Sequence, residues 1–418
     1  MDRLQAGWAR IDLAPETPYP LAGIVTGGER LATWVRDPSR VTCVALRQGT
    51  RTVALIAMDL LVVDPELHGE VEVIAREMGY AGVFLNASHT HSAMGGTIDR
   101  PLVHLFMGRF RPDLRALLLD RLRRVLDAAL RDLRPVSDLR AGTAQVPGLT
   151  MNRRQARGPT DDRVVAMELR RDGAAPLLIW STSGHPVVVA MNEATAESAD
   201  YPGRVSAELE ERGVLPVFIL GAVGGLNTIF PEYSVPLKDH MDLLAHLIGQ
   251  GLEQALAGAL RMSDPALTWG RRDLGLRRRY PPRAYRGLGS LTRAGISSAL
   301  GAAFGAAVAP RNATVPLIIL GVGPVRLAGI PADFGVGATL HIRAAMTGGD
   351  LAVVSSHSNG FVGYVHLPED YAWSKGVNPE MFHYENAMGW YGRSAGKRIA
   401  DAVVDLSGTL AAGTPETT

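Results

Sequence analysis

The chain has 418 residues, a formal net charge of +1 at pH 7 and 46% hydrophobic residues, which is enough for a substantial core in one large domain or two ordinary ones. The nearly neutral overall charge does not suggest a protein that binds nucleic acid or an anionic membrane surface, and we expect neither partner. The single cysteine, Cys43, excludes an intramolecular disulfide, and the apolar run around it predicts a buried thiol. The first residues lack a basic segment followed by an apolar one, and no apolar run reaches about 18 residues, so we expect a cytoplasmic protein without stable membrane insertion.

Strand and helix patterns alternate along the chain. A strand from Gly7 to Asp12 ends before Pro15. An apolar, β-prone run from Thr52 to Val63, a helical pattern from Pro65 to Met78 and a strand from Gly82 to Asn86 predict a βαβ unit. Residues 112–132 predict an amphipathic helix with one apolar stripe, formed by Leu114, Leu118, Leu122, Val125 and Ala129.

Five further segments predict the remaining core elements: strands from Ala175 to Ser183, Val214 to Leu220, Ala313 to Leu320, Pro324 to Ile330 and Leu351 to Ser356. A closing helix is predicted from Arg393 to Ser407, followed by a flexible tail over residues 408–418. Residues 277–312 resemble an insertion that could cap a site or form a mobile loop. The pattern predicts an α/β fold with a mixed sheet and flanking helices.

Two histidines, His89 and His91, follow the strand from Gly82 to Asn86. Open α/β sheets place their ligand sites at the carboxyl ends of strands. In an extended loop, residues i and i+2 share a side, so both rings can face one cavity. One ring would be a zinc ligand and the other a proton shuttle or a second ligand; the alternative is a pair of histidines satisfied within the loop.

The segment Ser88-His-Thr-His-Ser-Ala-Met-Gly-Gly96 resembles the Thr-His-Thr-His-Ser-Gly-Pro-Gly-Gly of neutral ceramidases, which are zinc amidases that release a fatty acid from an N-acyl sphingoid base. The Gly-rich stretch over residues 21–40 stands where those enzymes have a loop at the active-site mouth; the alternative is an ordinary turn. The resemblance extends from about residue 5 to residue 405. It implies that residues 1–418 form a single ceramidase-like catalytic domain without the C-terminal immunoglobulin-like domain of ceramidases.

The resemblance also implies a set of metal ligands. His185 follows a predicted strand at the position of a zinc-binding histidine, and Asp333 stands in Pro331-Ala-Asp-Phe where ceramidases have a zinc-binding glutamate, one methylene longer. Tyr364 ends a motif, Asn359-Gly-Phe-Val-Gly-Tyr, whose last tyrosine is a ligand in the family. With His89, these residues offer two imidazoles, a carboxylate and a phenolate, a set that suits Zn²⁺.

Four further residues receive catalytic roles from the same resemblance. His91 would take a proton from metal-bound water, which becomes hydroxide near neutral pH, and return it to the leaving amine. Arg153 and Tyr384 would stabilise the tetrahedral oxyanion. Asn227 stands where ceramidases have a serine that has been assigned nucleophilic or substrate-positioning roles. It lies in a Gly-rich turn that lacks the phosphate-binding patterns of nucleotide sites.

The sequence therefore predicts a zinc-dependent amidohydrolase that cleaves or exchanges the N-acyl amide of a small lipid-like or secondary-metabolite substrate through a metal-bound hydroxide. Within enzymes, the alternatives are an esterase or lactonase and an acyltransferase that forms amides. From another class, the alternative is a non-catalytic binding module with a degenerate site. The missing C-terminal domain and the altered segment 277–312 argue against ceramide itself as the substrate.

Overall fold

Two β-sheets form the centre of the structure, a computed structural model that describes residues 2–24, 28–100, 102–229, 236–279, 299–346, 348–372 and 375–412. The strands are β1 Gln5–Asp12, β2 Tyr19–Pro20, β3 Leu31–Ala32, β4 Trp34–Val35, β5 Arg40–Gln48, β6 Arg51–Met58, β7 Gly82–Ala87, β8 Arg134–Gln145, β9 Thr150–Asn152, β10 Arg163–Arg171, β11 Leu177–Thr182, β12 Ala196–Glu197, β13 Leu215–Leu220, β14 Leu226–Thr228, β15 Leu260–Met262, β16 Leu267–Arg277, β17 Asn312–Val322, β18 Val325–Gly329, β19 Asp333–Phe334, β20 Ala352–Ser355 and β21 Tyr364–Val365.

Helices surround these strands. They are α1 Pro65–Glu77, α2 His104–Met107, α3 Pro112–Arg131, α4 Val188–Asn192, α5 Asp200–Glu211, α6 Leu237–Ala257, α7 over residues 299–308, α8 Val336–Ala345, α9 Pro379–Ala387 and α10 Ala395–Ala411, with 3-10 turns at Gly349–Leu351 and Pro368–Tyr371. None of the helices within the described ranges is long and apolar enough to cross a membrane.

The larger sheet has nine strands in the order β13-β11-β10-β8-β1-β5-β6-β7, with β15 paired beside β8. The pair at each end is parallel, β6 with β7 and β11 with β13, and the inner pairs are antiparallel. Parallel neighbours need a crossover, and α1 supplies it between β6 and β7. Asp64 caps α1 by accepting a hydrogen bond from the Leu67 amide at 2.9 Å, with Pro65 in the first turn. The predicted βαβ unit is confirmed.

The smaller sheet, β16-β17-β18-β20, shares a central core with the larger one. Side chains alternate between two faces on every strand. In β5, Val44 and Leu46 enter the central core, whereas Cys43 and Ala45 face the layer of α1 and α3. In β17, Ile318 likewise faces the central core, and its neighbours face α8 and α10. The predicted burial of Cys43 is confirmed.

Helices cover the outer faces. Helices α1 and α3 pack on one part of the larger sheet, and α5 and α6 pack on another part of it. Helices α8 and α10 cover the smaller sheet. Every residue of the predicted stripe on α3 is buried. The α/β architecture with a mixed sheet and flanking helices is therefore as predicted.

The structure extends the predicted closing helix and describes only part of the predicted cap. The closing helix α10 continues to Ala411, so residues 408–411 are not part of a flexible tail. The reason is packing, because Leu410 reaches over Gly270 of β16 and joins the core beside the smaller sheet. Residues 413–418 lie outside the described ranges. Of the predicted cap over 277–312, residues 280–298 also lie outside them, and the described remainder contributes the ends of β16 and β17 and the helix α7.

Candidate metal centre

Loops at the carboxyl ends of four strands meet at one point. His89 follows β7, His185 follows β11, Asp333 follows β18 and His357 follows β20. Asp333 and Tyr364 lie opposite each other in the short parallel pair β19–β21. Residues more than 270 positions apart in sequence, such as His89 and Tyr364, thereby lie in one buried cluster. The cluster lies at the carboxyl ends of strands, where open α/β sheets have their ligand sites.

The side chain of Asn86, on β7, joins the ends of β7, β20 and β13. Its Nδ2 donates to Ser355 Oγ at 3.0 Å and to the Ser356 carbonyl at 2.9 Å. Its Oδ1 accepts a hydrogen bond from the Leu220 amide at 3.1 Å. Because Asn86 is completely buried, these bonds are shielded from water and fix the loops relative to one another.

Three imidazoles direct the same nitrogen at the centre. The Nδ1 atoms of His89, His91 and His185 lie 2.7, 2.9 and 2.6 Å from the carbonyl oxygens of Leu61, Gly23 and Leu226 respectively. A carbonyl only accepts hydrogen bonds, so each Nδ1 carries the proton and each Nε2 keeps its lone pair. This is the arrangement found in metal-ligating histidines. The Nε2 atoms of His89 and His91 are 3.3 Å apart.

Gly23 shapes the wall beside His91. Its φ angle is +111°, and a Cβ atom there would lie 2.7 Å from the His91 ring. A residue with a side chain would therefore be strained and would displace the imidazole. This supports a role for the predicted Gly-rich stretch in shaping the site, although Gly27 lies outside the described residues.

Asp333 completes the centre. Its Oδ1 lies 3.6 Å from His89 Nε2 and 3.7 Å from His185 Nε2, and the Tyr364 hydroxyl is 3.5 Å from His185 Nε2. This carboxylate oxygen is buried and has no hydrogen-bond partner among the described residues. An orphaned buried carboxylate oxygen is costly, and a cation held between these atoms would satisfy it. The donor set fits a divalent metal that prefers nitrogen and oxygen ligands.

Electrostatics support this fit. Burial lowers the pKa of His89 to about 3, so the ring is neutral at pH 7 and can donate its lone pair. Burial also lowers the pKa of His185 well below its ordinary value. The pKa of Asp333 rises to about 6 because burial disfavours the charge. A cation would reverse that effect, since it stabilises the carboxylate directly.

Arg153 links the centre to a buried acid. Its Nη2 donates to the Tyr364 hydroxyl at 2.8 Å and its Nη1 to Asn227 Oδ1 at 3.3 Å. Its Nε donates to Glu385 Oε1 at 2.7 Å. From composition alone such an arginine would be expected at the surface, but its side chain is only 12% exposed.

Glu385 is completely buried and holds three positively charged or polar groups besides Arg153. Arg154 donates to Oε2 at 3.0 Å, His366 Nε2 lies 2.9 Å from the same oxygen, and the Gly225 amide donates to Oε1 at 3.2 Å. Burial alone would raise the pKa of Glu385, but these groups hold it well below its usual range. Glu385 is therefore ionised and serves as the shared ion-pair partner of the two arginines.

Tyr384, on α9, lies at the edge of the cluster, beside Tyr364. Its side chain is about half exposed, and its ring centroid is 5.6 Å from that of Tyr364. The predicted site residues are all brought together, and their individual roles stay predictions.

Sequence reasoning missed His357 and Glu385. His357 directly follows a predicted strand, which is the same signal that identified His89 and His185. Both His89 and His357 have positive φ angles, 63° and 49°, a conformation uncommon for non-glycine residues and enriched at functional sites. Glu385 stands beside Tyr384 in the family motif, but no sequence pattern reveals its burial between two arginines.

No protein-family model matches the sequence, and no curated protein matches it. The solved structures that share its fold include the neutral ceramidase from Pseudomonas aeruginosa and a ceramidase in complex with C2. Each has a TM-score of 0.82 and 16% sequence identity over 100% of this chain, which corresponds to 76% and 77% of the two ceramidase chains. The predicted neutral-ceramidase-like fold is confirmed.

Proposed function

We propose that this chain is a zinc-dependent amidohydrolase that cleaves the N-acyl amide bond of a small lipid-like or secondary-metabolite substrate. The observation that carries the proposal is the orphaned Asp333 carboxylate oxygen, which faces the free Nε2 atoms of two histidines beside a tyrosine hydroxyl. The shared fold with neutral ceramidase adds support, since that fold houses an amidase. A structural cluster would instead pair its buried polar atoms internally.

His89, His185, Asp333 and Tyr364 would hold the ion. A divalent metal bound there supplies a Lewis acid that polarises a carbonyl and activates a water molecule. The backbone carbonyls behind the histidines fix each ring and its tautomer, so the lone pairs are in place before binding. Burial raises the pKa of Tyr364 well above its ordinary value, and the Arg153 guanidinium, 2.8 Å from the hydroxyl, opposes that rise because a positive charge favours the phenolate.

His91 is placed for proton transfer. Its Nε2 faces the same space as that of His89, and its Nδ1–H is held by the Gly23 carbonyl. In the proposed reaction it accepts a proton from the attacking water and returns it to the leaving amine. Arg153 and Tyr384 stabilise the charge that develops on the substrate oxygen.

Asn227 orients Arg153 in this reaction. Its side-chain oxygen accepts a hydrogen bond from Arg153, and its amide nitrogen remains available to donate to substrate. An amide side chain is a poor nucleophile, so the proposed reaction has no covalent acyl-enzyme at this position. The substitution therefore favours direct attack by water over a two-step acyl transfer.

Elemental analysis of purified protein tests the metal. We expect about one zinc per chain in the wild type and none in His185→Ala, whereas His341→Ala, which changes an exposed histidine on α8, should retain it. Activity should be assayed on N-acyl amides of increasing chain length and on the matched esters, with products identified by mass spectrometry.

The outcomes separate the alternatives. Full amide hydrolysis after exhaustive chelation would refute the metal-dependent mechanism. Hydrolysis of esters or lactones without amides would indicate an esterase, and net amide synthesis from acid and amine would indicate an acyltransferase. Ligand binding without turnover of any substrate would favour a binding module.

A further inference from the structure

His357 is a buried imidazole that the proposed reaction does not use. Its side chain is completely buried, and neither ring nitrogen has a hydrogen-bond partner within the described part of the chain. Its Nε2 lies 3.0 Å from Asp333 Oδ1, but the contact lacks the geometry of a hydrogen bond. Burying a histidine whose two ring nitrogens lack hydrogen-bond partners costs folding free energy. Packing alone therefore does not account for a histidine at this position.

Two overlapping groups of three donors surround the centre. One consists of His89, His91 and His185, and the other of His89, Asp333 and His357; within each group the ligand atoms lie within 4.8 Å of one another. Together with Tyr364, six donor side chains converge. A zinc ion takes four ligands, or five in some catalytic sites, counting any bound water, so the cluster offers more donors than one ion uses.

The orientation of the rings separates the two groups. His89 and His357 stack with centroids 3.9 Å apart and planes within 15°. An imidazole lone pair lies in the plane of its ring, so an ion in the plane of His89 lies outside the plane of His357. One ion cannot be ligated well by both rings. Two ions can each be ligated by one of the rings. The spacing of the rings matches the separation of about 3.5–4 Å between the ions of two-metal hydrolytic sites.

We propose that His357 and Asp333 form a second divalent-cation position beside the first, with Asp333 as the shared carboxylate. This inference rests on the proposed function for its first metal and adds a second. Its ligand chemistry, one imidazole and one carboxylate, suits Zn²⁺, Co²⁺ or Mn²⁺. The second ion binds more weakly than the first because it has fewer protein donors and is repelled by a neighbouring cation.

Calorimetric titration of metal-free protein with Co²⁺ tests the proposal. We expect two equivalents, a tight one and a weaker one. His357→Asn should keep the first and lose the second; asparagine tolerates the positive φ at this position. His68→Asn is the matched control, since His68 is buried but lies outside the cluster, 3.7 Å from Glu72.

A spectroscopic readout needs no variant. Protein loaded with Mn²⁺ should give the exchange-coupled electron paramagnetic resonance signal of two ions that share a ligand. A single saturable equivalent and an uncoupled signal in the wild type would overturn the proposal, even if His357→Asn fails to fold.

Further results of the Co²⁺ titration would also overturn the second cation position. A second equivalent that persists unchanged in His357→Asn would overturn the proposed position, and loss of both equivalents in a folded His357→Asn would make His357 a ligand of the first ion. Failure of the proposed function has a different signature: protein that binds no Co²⁺ at all, or hydrolyses amides without metal.

Discussion

Replacing Glu385 by glutamine tests the charge balance beneath the metal centre. The change keeps the shape of the side chain but removes the negative charge that lies between Arg153 and Arg154. The side chain of Glu385 is 0% exposed, and those of Arg153 and Arg154 are 12% and 7% exposed. Water therefore screens the remaining positive charges poorly. The two guanidinium groups would then be left buried without a counter-ion.

The expected loss follows from that burial. Removing one partner of a buried ion pair costs about 3–5 kcal/mol, compared with a total unfolding free energy of about 5–15 kcal/mol for a typical domain. Glu77→Gln is the control, because Glu77 and its partner Arg123 are more than half exposed and such pairs contribute at most about 1 kcal/mol.

Urea denaturation followed by circular dichroism measures both variants. The pKa of folded Glu385 is depressed, so its contribution is complete above the unfolded carboxyl pKa of about 4.3 and is lost as the pH falls below it. The wild-type and Glu385→Gln stabilities should therefore differ at pH 7 and converge in acid. A loss below about 1 kcal/mol at pH 7, or a difference that does not change with pH, would refute the reasoning.

Three further predictions concern the reaction and its metal. Because the pKa of metal-free Asp333 is about 6 and its carboxylate must be deprotonated to bind, the fall of Co²⁺ affinity with falling pH should steepen below pH 6 by about a further tenfold per pH unit; a steepening that starts near pH 7 would implicate the histidines instead. His91→Ala should retain the metal yet lose about 10²- to 10⁴-fold in turnover, and simultaneous loss of metal would make His91 a ligand. Asn227→Ala should cost about 0.5–1.5 kcal/mol in transition-state stabilisation, with no acyl adduct found by rapid-quench mass spectrometry; a trapped adduct on the chain would contradict direct attack by water.

The sequence predicted the strands and their ends well because local patterns determine them. The run before His89 and the run before His185 are short, apolar and bounded by glycine or polar residues, and both are strands in the structure. The rule that sites form at the carboxyl ends of strands then placed both histidines together. The family resemblance supplied Asp333 and Tyr364, which no local pattern would have paired.

What could not be predicted depends on contacts between distant segments. Nothing near Asn86 indicates that it joins three strand ends, since its partners lie up to 272 positions away. The burial of Arg153 likewise depends on Glu385, 232 positions later. The sequence patterns also could not predict how the strands are divided between two sheets. A local pattern identifies a strand, but it does not identify the strand that pairs with it.

The donors of the centre are divided between the two sheets. His89 and His185 come from loops of the larger sheet, and Asp333 and His357 come from loops of the smaller one. Neither part of the chain alone holds more than half of the cluster. If the chain were expressed as two fragments, divided between α6 and β16, the complete donor set would form only when the fragments associate, and a change in the absorption spectrum of bound Co²⁺ would report their assembly.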